Sequence, residues 1–381
     1  MFARLVRAHV FTLVMLSGLL IAARVQAQRS LDIDPSVISA GMGGASSAVS
    51  WSAEPNYWAN PALLGYYDGV RWQWSNTRLI PELSPDVRFT TKRATLACWG
   101  IGIETAGSPV SGMGGLRLDY GQSQSTDPSG NPTGTFAAFE NVGAVGIGVS
   151  LANLAGSLLA RSGDELPEIA KHFDVAFGYA SKHTDIDLGP VARYSTEAHD
   201  RGLLLRGGVG AGVPGGTRML LDASYARAEL SYDGGTLSPG TTRDGLAMHL
   251  AVHHPFASAS TGSWFHRSLM RAIQPLAALT LASDHEVVAP GFIAGSTLDH
   301  QGAELTMLNV LSMRVGHIRD RANDIDGGTF GLGIALPIWD FAGVRYDYGQ
   351  FPHSQDSGLK DQHRHSYSIF LNPLTMRRER Q

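Results

Sequence analysis

The chain has 381 residues, of which 43% are hydrophobic and only 17% are charged, and its formal net charge is −4. Soluble globular chains usually carry about 25% charged residues and about 7% glycine, so the low charge and the 45 glycines argue against an array of soluble domains. A mean hydropathy of −0.05 and the lack of an internal run near the ~20 apolar residues of a spanning helix argue against a helical membrane protein. The 30 basic residues form no cluster beyond Arg377-Arg378, so nucleic acid is not an expected partner.

The first residues have the features of an export signal. Arg4 and Arg7 precede an uncharged run from Val10 to Ala23, and Val25-Gln26-Ala27 supplies the small residues that a signal peptidase recognises. We therefore predict a signal peptide over residues 1–27. An uncleaved anchor helix is the alternative, although the apolar run is shorter than the ~20 residues that span a bilayer.

Residues 28–69 have the composition of a compact irregular segment rather than of a strand. The stretch Ser39–Gly65 is rich in small residues and turn formers. Three of its glycines permit a close backbone approach or a positive φ, and its Asn-Pro pair sets a turn because proline fixes φ and restricts the residue before it. These residues are Gly41, Gly43, Gly44, Asn60 and Pro61.

From residue 70 onwards the chain alternates with period two in short segments separated by turn residues. In the first segment Trp72 and Trp74 share one face, while Arg71, Gln73 and Ser75 share the other, which is typical of a strand between two environments. We predict about fourteen such strands: 70–76, 93–104, 115–123, 139–153, 172–182, 185–194, 203–213, 218–232, 245–254, 275–282, 304–317, 329–336, 339–348 and 365–371.

Segments of ~10 residues that alternate apolar-out and polar-in, separated by turns, are typical of an outer-membrane barrel. Only helices and closed barrels satisfy every backbone polar group within a bilayer. The sequence therefore predicts an all-β, transmembrane antiparallel β-barrel over residues 70–372, with residues 28–69 as a plug in its lumen and 373–381 as a C-terminal tail. The alternatives are a soluble β-sandwich array and, for the plug, an irregular arm on the surface. Aromatic residues grouped near segment ends favour the barrel, because such residues form interfacial girdles: Trp72, Trp74, Trp99, Trp339, Tyr346, Tyr348 and Tyr367.

The motifs that could carry chemistry are weak, so we expect no enzyme, no metal site and no cofactor. The glycine motif at 210–215 contains Pro214 and leads into no helix that could bind a pyrophosphate. His253-His254 and His363-Arg364-His365 have no carboxylate or cysteine at ligand spacing. The acidic stretch at 324–328 lacks the remaining ligands of a calcium loop. Cys98 is the single cysteine, which excludes an intramolecular disulfide.

Two regions carry a family resemblance. The order Gly-Met-Gly-Gly-Ala at 41–45 and Tyr-Trp-Ala-Asn-Pro-Ala at 57–62 resembles the N-terminal region of the FadL-type outer-membrane superfamily, and most closely its PorV/PorQ-like branch. The region from Glu304 to Gly349 is similar to the same branch. The chain departs from that pattern by the extra Ala59, by the missing acidic pair between the two N-terminal motifs, and by the residues that follow Phe370.

This resemblance implies an outer-membrane protein through which hydrophobic, fatty-acid-like small molecules pass, entering at the outer surface and leaving laterally into the lipid. Residues that match the motifs are expected to shape and gate the plug: Gly41, Gly43, Gly44, Asn60, Pro61 and Ala62. We expect Tyr57 and Trp58 to contact the barrel wall or the ligand. A rival implication is a PorV-like accessory that docks exported proteins or secretion machinery, and a soluble secreted binding module is the third alternative.

Overall fold

The computed structural model describes residues 31, 33–80, 82, 84–107, 115–126, 129, 131–162, 166–190, 192–212, 217–233, 240–253, 274–288, 296–321, 324–339, 342–353 and 359–371. The predicted signal peptide and the predicted C-terminal tail lie outside these residues.

Fifteen β-strands account for most of the described chain. Their bounds are β1 Gly69–Arg78, β2 Arg88–Cys98, β3 Ile101–Ala106, β4 Leu116–Thr126, β5 Pro132–Ser150, β6 Phe173–Asp187, β7 Arg193–Gly212, β8 Arg218–Asp233, β9 Thr241–His253, β10 Ala277–Val288, β11 Ser296–Met307, β12 Leu311–Asp320, β13 Ile325–Trp339, β14 Ala342–Phe351 and β15 Gln362–Leu371.

The strands close into an antiparallel barrel with 14 strand positions around its circumference. From β5 to β15 each strand pairs with the next, β15 pairs with β1, and β1 pairs with β2. The short strands β3 and β4 share the remaining place, because both lie between β2 and β5 at different heights. We call the end that holds the start of β1 and the finish of β15 the lower rim, and the opposite end the upper rim.

Burial alternates along the strands and divides the wall into a polar inner face and an apolar outer face. In β1 the inward side chains Arg71 and Gln73 are buried, whereas the outward Trp72 and Trp74 are 38% and 39% exposed. In β9 the outward Leu246 and Met248 are 62% and 52% exposed. A soluble protein rarely exposes so large a continuous apolar surface, and this is the surface that a barrel turns to lipid.

The apolar outer band ends below the upper rim in a group of aromatic residues. The rings of Trp74 and Tyr367 stack with centroids 5.7 Å apart, and Tyr346 lies 5.1 Å from Tyr367. Above this level the outward side chains are polar or charged, as in β15, where His365 and His363 follow Tyr367. The aromatic group thus marks the boundary between an apolar and a polar exterior.

Four short helical elements complete the described chain: α1 at Val37–Gly41, a 3₁₀ helix at Pro61–Tyr66, α2 at Leu151–Ser162 and α3 at Glu168–His172. Among the described residues, no helix has both the length and the apolar character needed to cross a membrane.

Three of the predicted strand boundaries are wrong. The predicted strand 93–104 is a hairpin that turns at Trp99 and Gly100, and the predicted strand 304–317 is a hairpin that turns at Leu308 and Asn309. All four turn residues have positive φ, between 51° and 81°. The predicted strand 185–194 runs from the end of β6 through the connection into the first two residues of β7, and the predicted strand 203–213 is only the second half of β7. The first half of β7 escapes prediction because its residues 195–201 carry polar side chains on both faces. The predicted count of fourteen strands matches the number of strand positions in the barrel because these errors partly cancel in the count.

We predict that a charge on the outer face costs most at the middle of the apolar band. Met248→Arg is expected to lower the free energy of unfolding in phospholipid vesicles by about 2–4 kcal/mol, because arginine loses its hydration there. Denaturant titration, followed by the shift in gel mobility between folded and unfolded barrel, measures the change.

Thr242→Arg is the matched control, since Thr242 faces outward on the same strand above the band, where the cost is about 0–1 kcal/mol. Equal effects of the two substitutions would contradict a lipid-facing wall.

Candidate functional site

The N-terminal segment, residues 31 and 33–68, lies against the inner face of the barrel and is buried over most of its length. Its first helix, α1, contacts β12 to β15, and its 3₁₀ helix contacts β3, β5, β6 and β7 on another part of the wall. Ser36 caps α1 through a side chain that accepts from the backbone N–H of Ser39. Asn60 caps the 3₁₀ helix by accepting from the N–H of Ala62 (3.0 Å), and Pro61 occupies the first helical position, where its fixed φ suits a helix start.

The 3₁₀ helix rests on a row of four glycines in the wall. Gly102, Gly148, Gly178 and Gly202 are direct cross-strand neighbours on β3, β5, β6 and β7. A Cβ atom added to any of them would lie 2.0 to 2.5 Å from an atom of residues 60–64. The row therefore forms a floor of bare backbone, which lets the helix approach more closely than any side chain would allow.

Asn60, Pro61 and Ala62 form the face that meets this floor. A Cβ on Gly202 would lie 2.0 Å from Oδ1 of Asn60, and one on Gly178 would lie 2.2 Å from the backbone N of Ala62. The Asn60 amide also donates to the Leu203 carbonyl oxygen at 3.2 Å. These three predicted residues thus come together at one contact with the wall.

The glycines of the first motif make a second close contact elsewhere on the wall. Gly43 and Gly44 have φ of 67° and 90°, a region that side chains other than glycine rarely adopt. A Cβ on Gly43 would lie 2.6 Å from the carbonyl oxygens of Gln301 and His317. The Gly41 carbonyl accepts a hydrogen bond of 3.0 Å from the Thr329 hydroxyl.

Glycines on the wall side complete this second contact. Gly302 and Gly316 are paired on β11 and β12, and Gly331 and Gly349 are paired on β13 and β14. A Cβ on Gly316 would lie 2.3 Å from the backbone of residues 42 and 43. The segment and the wall are therefore complementary at two separate sites, both built by removing side chains.

Two acidic side chains tie the segment to the wall. Glu54 forms an ion pair with Arg93, and both side chains are 1% exposed; Gln73 donates a further hydrogen bond of 3.0 Å to the Glu54 carboxylate. Across the lumen the carboxylate of Asp284 accepts from the backbone N–H groups of Ser46 and Ser47, at 3.0 and 2.9 Å. A buried carboxylate held in this way is costly to leave unpaired.

Tyr57 and Trp58 are the predicted contacts with the wall or the ligand. Both side chains extend from the N-terminal segment to the inner face of the wall. The Trp58 indole donates to the Leu31 carbonyl oxygen at 2.9 Å, and the Lys182 ammonium lies 3.7 Å from the centre of its ring. Tyr57 packs on Gly146. Within the part of the chain that the structure describes, its buried hydroxyl has no hydrogen-bond partner.

Around these two aromatic rings apolar side chains cluster on the inner wall, beside buried charged residues such as Glu140 and Lys182. We call this region the apolar sector. It consists of the buried residues Leu31, Tyr57, Trp58, Leu64, Phe89, Ala106, Leu116, Leu118, Val142, Ala144, Ala180 and Ala198, with Ile33, Leu79, Tyr120 and Leu230 packed at its edge. By contrast, the inner face of β1 presents arginine, glutamine, serine and threonine.

The apolar sector borders an interruption between two strands of the wall, where β3 ends and β4 begins. Ala106, the last residue of β3, pairs with Ala144, and Leu116, the first residue of β4, pairs with Val142. Gly107 and Gly115 are the described ends of the connection between β3 and β4, and both lie next to Gly143, where an uninterrupted strand would place one residue. They lie so close together that a Cβ on Gly107 would be 2.2 Å from Cα of Gly115.

Sequence reasoning missed the wall half of this site. Glycines spaced by two, as at 146 and 148, are the available signal, because they place two bare positions on one face of a strand. Nothing in the sequence pairs Glu54 with Arg93. In the described part of the chain, no three His, Cys, Asp or Glu side chains are grouped as metal ligands.

We predict that Gly178→Ala destabilises the folded protein by about 1–3 kcal/mol, the usual range for overpacking, because the new methyl group would meet the backbone of the 3₁₀ helix. Gly328→Ala is the control, since Gly328 is exposed and its added Cβ has a neighbour only at 3.9 Å. The free energy of unfolding in detergent measures both, and equal values would contradict the close seating of the helix.

We also predict that Glu54→Ala loosens the N-terminal segment. Arg93 keeps Glu104 at 3.3 Å but loses its contact with the N-terminal segment, which is expected to cost about 1–3 kcal/mol and to raise the ion conductance of single barrels in planar bilayers. Glu229→Ala removes an exposed ion pair with Arg227 and is expected to cost less than about 1 kcal/mol. A conductance that stays at the unaltered level in both variants would contradict the anchoring role.

No family model matches the chain, and no curated protein matches it. Among solved structures, the chain is similar to the toluene transporter TbuX of Ralstonia pickettii, with a TM-score of 0.41 and 11% identity over 88% of this chain and 97% of that one. It is also similar to the toluene transporter TodX of Pseudomonas putida (TM-score 0.40, 13% identity, 88% and 98% covered). A FadL homologue of Pseudomonas aeruginosa gives a TM-score of 0.36 with 10% identity, covering 88% and 98%.

Proposed function

We propose that this protein is an outer-membrane channel for hydrophobic small molecules. The observation that carries the proposal is the apolar sector, one of two clusters of buried apolar residues described inside the barrel, and the one that borders the break between β3 and β4. A polar lumen suits water and ions, whereas a strip of apolar side chains suits a molecule that water does not solvate well.

The route begins near the upper rim. Leu79 follows β1 at that end of the barrel, and both Leu79 and Ile33 pack against the apolar sector. A molecule that enters there meets Phe89 and Leu118, then Tyr57 and its unpartnered hydroxyl. That hydroxyl is placed to donate to the polar end of an amphipathic compound, and the rings bind its apolar body.

The exit lies at the wall interruption. Ala106 and Leu116 line the inner side of the break, and on the outer side Ile103 and Val145, at 44% and 50% exposure, belong to the apolar band. A hydrophobic molecule that leaves sideways here passes from one apolar surface to another. It never has to cross the polar lower part of the lumen.

The N-terminal segment acts as the plug in this proposal. Its seating on glycines at two places and its buried carboxylate contacts support a segment that blocks direct passage between the rims. Gly41, Gly43, Gly44, Asn60, Pro61 and Ala62 shape the plug, and Tyr57 and Trp58 present it to the ligand.

Location in the outer membrane follows from the apolar exterior of a closed barrel and from the predicted signal peptide. Both chain ends of the barrel lie at the lower rim, so we assign that rim to the periplasm, the side from which an exported chain arrives. The upper rim, whose outward side chains are polar or charged, then faces the exterior of the cell.

We predict that sealing the wall abolishes transport. Replacing residues 107–115 by a single threonine brings Ala106 and Leu116 into one continuous strand in the register already set by Ala144 and Val142. Uptake of hydrophobic probes such as toluene or a fatty acid into proteoliposomes is expected to fall to the level of empty vesicles, because the lateral exit is closed.

The matched control replaces residues 108–114 with seven glycine and serine residues. It keeps the length of the interruption and is expected to keep uptake. Heat-modifiability on a gel verifies that both variants form barrels. Uptake that survives in the sealed barrel would contradict lateral exit, and uptake equal to empty vesicles in the unaltered protein would contradict the channel.

A PorV-like docking role is the second candidate, and it is supported by the N-terminal motifs and by how firmly the N-terminal segment is seated. A docking protein needs a closed, stable barrel and no passage. Purification from membranes distinguishes the two, because a docking protein co-purifies with exported proteins or a translocon and does not take up hydrophobic probes.

A further inference from the structure

A group of basic side chains lies on the outer face of β15, β1 and β2, at and above the level of the aromatic boundary. We define the basic patch as Arg78, Arg88, Lys92 and His363. His363, Arg78 and Arg88 form one cross-strand row, in that order, on three adjacent strands. Lys92 lies four residues below Arg88 on β2, directly opposite Trp74.

Burial parity places all four side chains on the outside. On β1, Arg78 continues the exposed series that contains Trp74, and on β2, Arg88 and Lys92 alternate with the buried Phe89. On β15, His363 shares the outward face with the exposed Tyr367. The patch is therefore accessible from the surroundings of the barrel.

The arginines of the patch lack the carboxylate partners that several other outward arginines have. Among the described residues, Arg227 pairs with Glu229 at 3.4 Å and Arg319 pairs with Asp326 at 3.5 Å. No such ion pair within the described ranges involves Arg78 or Arg88. Two like charges directly opposite each other destabilise a strand pair unless an anion lies between them.

Two nearby carboxylates are already paired with other basic side chains. Asp119, the next residue along the same row, is held by two hydrogen bonds of 2.9 Å from Arg117. Glu82, in the connection above β1, is paired with Lys360 at 2.6 Å. Asp86, two residues before Arg88, is exposed and offsets part of the charge, but Arg78, Arg88 and Lys92 together leave the patch with a net positive charge.

The height of the patch identifies what surrounds it. Trp74 and Tyr367 stack at the upper margin of the apolar band, and aromatic girdles of barrels lie at the level where acyl chains meet headgroups. Arg78 follows Trp74 by four residues, or about 13 Å of strand. In a membrane-embedded barrel, that level is occupied by lipid headgroups.

We propose that the basic patch binds the phosphate group of a phosphorylated lipid in the outer leaflet. Two guanidinium groups on adjacent strands present paired N–H donors to one phosphate, a geometry that arginine forms readily, and the acyl chains of the same lipid lie along the apolar band below. This inference rests on the proposed outer-membrane location and orientation.

The test measures lipid retention on the purified full-length barrel by native mass spectrometry. Detergent micelles contain either a bisphosphorylated glycolipid of the lipid A type or the same glycolipid without its phosphates. The unaltered barrel is expected to retain the phosphorylated form, and R78Q/R88Q is expected to retain it about tenfold less, as the loss of a charged hydrogen-bond pair implies. R78K/R88K keeps the charge without the paired donors and is expected to recover only part of the retention.

The matched control is R227Q/R319Q, which removes two outward arginines that are ion-paired, and it is expected to retain the lipid as the unaltered barrel does. Equal loss in this control, or equal retention of the dephosphorylated lipid by the unaltered barrel, would overturn the proposal. Displacement of the lipid by an excess of inorganic phosphate would also overturn it, since the patch would then be a site for the free anion.

Uptake of hydrophobic probes by the unaltered barrel and by the R78Q/R88Q barrel separates this inference from the proposed function. If lipid retention depends on the phosphate and on the arginines but the unaltered barrel takes up no probe, the channel is contradicted and the patch is supported. Intact uptake with retention that ignores the arginines contradicts the patch alone.

Discussion

A backbone N–H or C=O group inside a lipid bilayer has no water to bind, and each one left unpaired costs several kcal/mol. The architecture of this chain follows from that cost. Every strand of the barrel has a hydrogen-bonded neighbour on both sides because β1 pairs with β15 as well as with β2. Once the sheet is closed, its outer side chains can be apolar without leaving an open edge.

Closure also creates an interior that must be filled. The inner face carries buried charged and polar residues such as Arg314 and Lys182, which need hydrogen-bond partners or water. The N-terminal segment supplies some of these partners and also fills space by packing against the wall. Seating depends on the absence of side chains at rows of wall glycines and on Glu54 and Asp284. Because the contacts are made largely by backbone, the fit depends on where glycine stands more than on which side chains surround it.

Within this filled interior the apolar sector is the exception. Leu116, Leu118 and Val142 face inward, although inward positions elsewhere in the wall are largely polar or small. Their position beside the break between β3 and β4 links an internal surface to the lipid-facing one. The proposed path of a hydrophobic molecule follows from that juxtaposition.

The barrel was predictable from the sequence because lipid on one side and a polar lumen on the other impose a period of two on every strand. The hairpin at Leu308 and Asn309 was not, since neither residue is a glycine and the alternation runs through them. The upper part of β7 was also missed: above the band, Glu197 faces water while Asp200 faces the lumen, so both faces are polar and the period disappears. Glycines 41, 43, 44 and the Asn60-Pro61 turn were visible as special positions, but their partners come from strands more than 80 residues away in the chain, and no local pattern records such pairings.

The central claim is that alternate residues of each strand face lipid and lumen. Single spin labels placed along residues 244–252 of β9, in a variant without Cys98, test it directly through the accessibility of each label to oxygen and to a water-soluble nickel complex in lipid vesicles. The account predicts high oxygen and low nickel accessibility at Leu246, Met248 and Leu250, with low oxygen accessibility at the intervening Ala247 and His249. High nickel accessibility at Leu246 and Met248 would mean that water covers the outer face, and would contradict the account.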